Sequence, residues 1–149
     1  MGIDTKLKVM NNYQPDPGTI VLDEKVTAEK EVKELQDAGV TTIILLTHIR
    51  YQNDMDWMGS LDGMDVVVGG DSHSLLGDEN TAAMFGDTKG SCYATVISKP
   101  DGSKVCIVQS WSYSRVIGNA HIDFDEDGKV VASCEGIPVF PFNPRQGDE

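Results

Sequence analysis

Residues 27–48, TAEKEVKELQDAGVTTIILLTH, join an amphipathic stretch to a β-branched apolar run across a single glycine. Ala28, Val32, Leu35 and Ala38 fall on one stripe with charges elsewhere, which predicts a helix facing a core. Asp23 or Thr27 is its N-cap, and Gly39 stands where a helix closes on a left-handed residue. The run Val40 to Leu46 is almost wholly apolar, as in a strand covered on both faces, and it leads into Thr47 and His48. A short helix over NDMDWMGSL, capped by Asn53 or Asp54, and a second buried strand, MDVVVGG, repeat the unit. A short first strand and the turn-rich loop 11–19, NNYQPDPGT, precede it. The order strand, helix, strand, helix, strand predicts α/β architecture with parallel neighbours.

Beyond Gly90 the period shortens. YATVISK, KVCIVQSW, NAHIDFD and VVASCEG are alternating runs, with the turns PDGS and EDGK between members, and they predict an antiparallel meander. The expected fold class is therefore α/β with mixed sheets flanked by helices, parallel in the first half and antiparallel in the second. From Ile137 the chain carries three prolines and closes polar, which marks 139–149 as a tail. At 149 residues the chain is one domain that buries roughly two-thirds of its unfolded surface.

With 24 acidic against 12 basic residues the net charge is −12, which argues against nucleic acid or an anionic membrane surface as partner. No apolar run approaches the ~18 residues of a membrane span. Any phosphate handled here needs a local cation, and a bound metal is one source. The start, MGIDTKLKVM, has no apolar signal core, so the chain as written reads as cytoplasmic, or as periplasmic or secreted if a targeting segment lies upstream. Cys92, Cys106 and Cys134 leave at least one thiol unpaired and are too few and too spread for a zinc ribbon.

Two buried strands thus end alike, one on Thr47-His48 and the other, after Gly69-Gly70, on Asp71-Ser72-His73. Ligands of open α/β sheets gather outside the carboxyl ends of strands, where His48, Asp71 and His73 could converge on a metal ion. Gly-Asp-Ser is also ordinary turn chemistry, and a single strand-end histidine is more often a hydrogen-bonded structural residue than a ligand, a balance that two histidines together with an Asp reverse. Gly69 and Gly70 would let a metal–phosphate assembly approach the backbone. His121, in an alternating strand, reads as a surface residue.

The stretch IILLTHIRYQNDMDWMGSLDGMDVVVGGDSHSLLGD resembles the second half of the catalytic domain of the 5′-nucleotidase family of calcineurin-like metallophosphoesterases. Members read Leu-Thr-His, an Asp-led helix, then Gly-Gly-His-Ser-His. The later QSWSYSRVIG is similar to the family's Gln-Ala-x-x-Tyr-Gly-Arg-x-x-Gly, and the resemblance runs from Met1 to about Pro138. It implies part of a four-layer metallophosphoesterase sandwich and a metal-dependent phosphomonoester hydrolase acting on a phosphate monoester or nucleotide. It also implies one or two divalent ions, zinc, manganese or magnesium.

Residue by residue, the resemblance assigns His48, Asp71 and His73 to the metal. Asp71 departs from the family's His, and a carboxylate is still a competent oxygen donor. Arg50 replaces the family's usual Gly and reads either as a phosphate clamp or as a solvated loop arginine. Cys106 and Cys134 match a pair that some secreted members carry, which makes them a disulfide candidate with Cys92 left over. The family's Asp-x-His, bridging Asp and Gly-Asn-His-Glu motifs are not among these 149 residues. The partner expected is therefore an N-terminal half carrying those ligands, or a homodimer pairing two trios. The competing readings are a non-catalytic metal-binding fragment and an α/β interaction domain.

Overall fold

The computed structural model describes residues 1–13, 15–78, 81, 92–131 and 134–139. Its centre is a five-stranded sheet of order β1-β2-β3-β5-β4. The strands are β1 (Gly2–Asp4), β2 (Ile44–His48), β3 (Val66–Val68), β4 (Thr95–Ser98) and β5 (Lys104–Val108). β1, β2, β3 and β5 run parallel, and only β4 pairs antiparallel, with β5. A second sheet holds β6 (Ile117–His121) and β7 (Glu135–Val139), paired antiparallel. The mixed architecture agrees with the sequence reading: β2, which ends on His48, and β3, which leads through Gly69 and Gly70 to Asp71, are adjacent and parallel, with Leu46 opposite Val68.

The helix predicted before β2 is α2, Glu24–Asp37, and its two ends explain its limits. Asp23 caps it by accepting from Val26 N at 3.0 Å. At the other end Gly39 takes φ +84, and the pair Val40 N to Leu35 O, 3.0 Å, and Gly39 N to Gln36 O, 2.9 Å, closes a Schellman motif. Ala28 and Val32 of α2 are buried in one core with Leu45, Val67, Val105 and Ile107, joined by Met58 and Met64 from the β2–β3 connection. Burying each such aliphatic side chain stabilises the fold by about 1.5–3 kcal/mol. The opposite face of β2 is open, with Ile44 48% and Leu46 56% exposed and Val68 of β3 39% exposed beside them.

Several elements differ from the expectation. The first strand is short, as expected, but after it the chain forms a helical turn, α1 (Lys6–Lys8), and a wide π-helical turn (Val9–Tyr13) that runs into the loop expected over 11–19. Val9 N bonds Thr5 O at 3.2 Å within the turn, and Lys6 N donates to the Glu24 carboxylate at 2.6 Å, a tertiary partner that fixes its start. β2 starts at Ile44 and not at Val40, because Ile43 N is taken by the buried Asp65 carboxylate at 2.8 Å. The helix expected over 53–61 begins earlier, as α3 (Tyr51–Asn53) continuing into a π-helical turn (Asp54–Met58), and Asp54 is buried in it instead of capping it. The last strand falls at Glu135–Val139, later than VVASCEG. Residues Gly90, Ala132, Ser133 and 140–149 lie outside the described residues, and with them the tail apart from Val139.

Cys106 of β5 and Cys134, just before β7, are bonded with Cα atoms 6.0 Å apart, which fastens the small sheet onto the large one. Cys92 is exposed and free of disulfide. Among the described residues no helix is long and apolar enough to cross a membrane.

Candidate functional site

Parallel pairing puts the carboxyl ends of β2 and β3 side by side, and β1 adds a third, with Asp4 opposite His48. The loop after β3 then folds back on this rim. Arg50, Asp71 and His73 all take positive φ, +84, +77 and +53, values that cost a side-chain-bearing residue free energy. Arg50 does so where the family usually has Gly. The rim is therefore built from three strained residues within 24 positions of chain.

Asp71 is the hub. Its side chain is 3% exposed and takes Lys8 Nζ in direct ion-pair contact on Oδ1. His48 Nε2 lies 3.8 Å from the same oxygen, and Arg50 Nε lies 3.5 Å from Oδ2. The sequence-predicted pair His48 and Asp71 is thus brought together. The ring of His73 instead meets Tyr113 edge-on, centroids 5.0 Å apart. A hydrolytic zinc site takes three protein donors. Among the described residues no group of three His, Cys, Asp or Glu is placed to hold a metal ion. With the carboxylate paired to two cationic side chains, these residues as arranged do not make a complete metal site.

Two buried groups that the sequence reading did not assign to the site support the rim. Asp54, fully buried, accepts from Thr47 Oγ1 at 2.6 Å through Oδ1, while Oδ2 has no hydrogen-bond partner. Burial pushes its carboxyl up to about 6, against the opposing pull of the Thr47 hydrogen bond. Gln109, at 3% exposure, braces the loop from the end of β5. With its amide oxygen toward the loop it accepts from His73 N at 3.2 Å and Ser74 N at 2.6 Å, and its nitrogen donates to Ser72 Oγ at 3.3 Å. Ser72 Oγ in turn accepts from Tyr51 N at 3.0 Å, tying the loops after β2 and β3 together.

The strand-end glycines make room for these neighbours. A Cβ on Gly70 would stand 2.9 Å from His48 Nδ1, and one on Gly69 would collide with Asp54 Oδ2. Close packing of His48 and Asp54 gives both glycines a structural reason. Trp111, Tyr113 and Ser114 form a further positive-φ stretch at the rim, with Ser114 where the family has Gly. The Arg115 guanidinium lies 5.1 Å from the Trp111 ring centroid and 5.4 Å from that of Tyr113. His121 is at the surface, its side chain 80% exposed and 3.3 Å from Asp123.

No protein-family model matches the chain. Curated relatives do: the "Probable 5′-nucleotidase" of Treponema pallidum is 33% identical over 140 residues, 94% of this chain and 23% of the relative. Human 5′-nucleotidase is 33% identical over 129 residues, 85% of this chain and 22% of its own length. Among solved structures, NAD nucleotidase of Haemophilus influenzae superposes with a TM-score of 0.84 at 28% identity, covering 94% of this chain and 27% of that one. The 5′-nucleotidase precursor of Thermus thermophilus gives 0.73 at 34% identity, covering 85% of this chain and 24% of that one. The chain spans about a quarter of the length of the relatives it matches. Over the stretch it spans, in sequence and in its mixed α/β sheet, the chain is similar to the 5′-nucleotidases.

Proposed function

We propose that the chain forms one wall of a phosphomonoester hydrolase site of 5′-nucleotidase type, with a nucleotide as substrate. The observation that carries this reading is the meeting of His48 and Asp71 at the ends of adjacent parallel strands, Nε2 to Oδ1 3.8 Å. Those two side chains are the donors this chain brings toward a divalent ion, zinc, manganese or magnesium, with His73 at the flank. Arg50 lies beside Asp71, Nε to Oδ2 3.5 Å, and its largely exposed guanidinium is the group this reading offers to a phosphate oxygen. The bridging Asp and the Gly-Asn-His-Glu histidine that the family uses are not in this sequence, so the opposite wall belongs to a partner segment.

The open apolar strip of Ile44, Leu46 and Val68 supports a covering partner. We assign that cover to the remainder of a catalytic domain in preference to a second copy of this chain, because most of each relative's length lies outside the matched stretch. Phosphate release from adenosine 5′-monophosphate tests the proposal, with the chain alone and then mixed with a polypeptide carrying the family's Asp-x-His to Gly-Asn-His-Glu segment. Activity is expected to be near background for the chain alone and to rise in the mixture. A mixture that forms a stable complex yet releases no phosphate counts against the reading.

A further inference from the structure

The loop after β5 leaves the sheet at the same carboxyl-end rim, because β5 runs parallel to β3. A bridge between Leu75 and Ser110 ties it to the segment that carries Asp71 and His73. Buried Ser112 and Val116 anchor the loop, and Arg115 N donates to Ser112 O at 3.2 Å, leaving residues 113–115 exposed. The backbone there is costly: Trp111, Tyr113 and Ser114 take φ +53, +54 and +57. Core packing does not offset that cost at Tyr113, which is 76% exposed. What the conformation achieves is an aromatic surface with a cation on it. The Arg115 guanidinium lies 5.1 Å from the Trp111 ring centroid and 5.4 Å from that of Tyr113. Among the described residues no carboxylate pairs with it, in a chain whose net charge is −12.

We propose that Trp111, Tyr113 and Arg115 form a stacking platform for the base of a nucleotide. This deepens the hydrolase reading and takes the class of ligand from it, but it calls on no metal ion. Flat π systems lie well on aromatic rings and on a guanidinium plane, and an unneutralised guanidinium adds cation–π attraction to the rings around it. The platform adjoins the rim: the ring of His73 meets Tyr113 with centroids 5.0 Å apart. Arg50, the group offered to phosphate, lies beside Asp71, two residues before His73 on the same loop. A nucleotide holds its base and its phosphate on opposite sides of a ribose, so one molecule spanning this short loop meets both.

Titration of the full chain with adenosine and with ribose 5-phosphate, without added metal, tests this through the Trp111 indole and Arg115 side-chain N–H resonances. Adenosine is expected to shift both, and ribose 5-phosphate neither. Tyr113→Gly removes the ring at a position whose positive φ suits glycine, and Arg115→Gln removes the guanidinium. Each should weaken adenosine binding about ten-fold, while Tyr113→Phe keeps it. Signals unmoved by adenosine in the parent overturn the proposal whatever the variants do. So does a shift with ribose 5-phosphate alone, which would make Arg115 an anion site. Neither result touches the hydrolase reading, which is decided by phosphate release from the reconstituted mixture. Adenosine binding by the parent, lost in Tyr113→Gly, beside a mixture that releases no phosphate would uphold the platform and remove the hydrolase.

Discussion

Asp54 carries its proton to about pH 6 in the folded chain, because burial disfavours its charge more than the Thr47 hydroxyl favours it. The unfolded chain releases that proton near pH 4. The folded state therefore binds more protons between those values, and stability falls as pH rises from about 4 through 6. The difference is on the order of 2–3 kcal/mol. Asp54→Asn removes the titration while keeping the shape. Urea unfolding at pH 4.5 and 7.5 should show the variant gaining on the parent by about 2 kcal/mol across that interval. A gap between variant and parent that is the same at both pH values would contradict the assignment. In the sequence Asp54 looks like a helix cap. Its burial depends on Thr47 and Gly69 arriving from two strands, which no local pattern encodes. His48 and Asp71 were legible for the opposite reason: one ends an apolar strand run and the other stands just beyond the next, past Gly69 and Gly70, so the local pattern itself puts them at the rim.

Helix α2 shows which elements the sequence specifies by itself. Its cap, stripe and closing glycine are all local, and all three hold in the fold. At Gly39 no atom lies within 4 Å of the place a Cβ would occupy, so the cost of substitution is conformational alone. Gly39→Ala should lower stability by about 1 kcal/mol in urea titration, with the native fold retained. An unchanged midpoint would mean the helix end does not need its left-handed residue. Segment 5–13 was less legible, since Lys6 and Lys8 are fixed by Glu24 and Asp71, partners 18 and 63 positions away.

The Cys106–Cys134 link is also non-local: only the family resemblance singled it out. Thiol titration of denatured, unreduced chain should find one free thiol, Cys92, and three would exclude the bridge. Closing a loop across 28 residues, the bond is worth about 3–4 kcal/mol, so Cys106→Ala/Cys134→Ala should unfold at distinctly lower denaturant.

At the scale of the molecule, one face of the sheet is covered by α2 and the β2–β3 connection, while the other is open over β2 and β3. The alternating burial of β2, with Ile44, Leu46 and His48 exposed, differs from the strand covered on both faces that VTTIILL predicts. The sequence pattern describes a strand with two covered faces, and the described residues supply only one cover. The parallel first half was readable because helices and strands alternate there. That β5 joins β3 in parallel, instead of starting a separate meander, was not, because hairpin turns fix only the β4–β5 pairing.

The central claim is that His48 and Asp71 act together in phosphate-ester hydrolysis once the opposite wall is present. The most direct measurement is adenosine 5′-monophosphate hydrolysis by the reconstituted mixture, with the parent chain, His48→Ala and Asp71→Ala compared at equal complex concentration. The account predicts that each substitution lowers kcat/KM by about 100-fold or more and that the double variant is little worse than either single one, as expected for groups acting as a unit. Full activity in both single variants would contradict it.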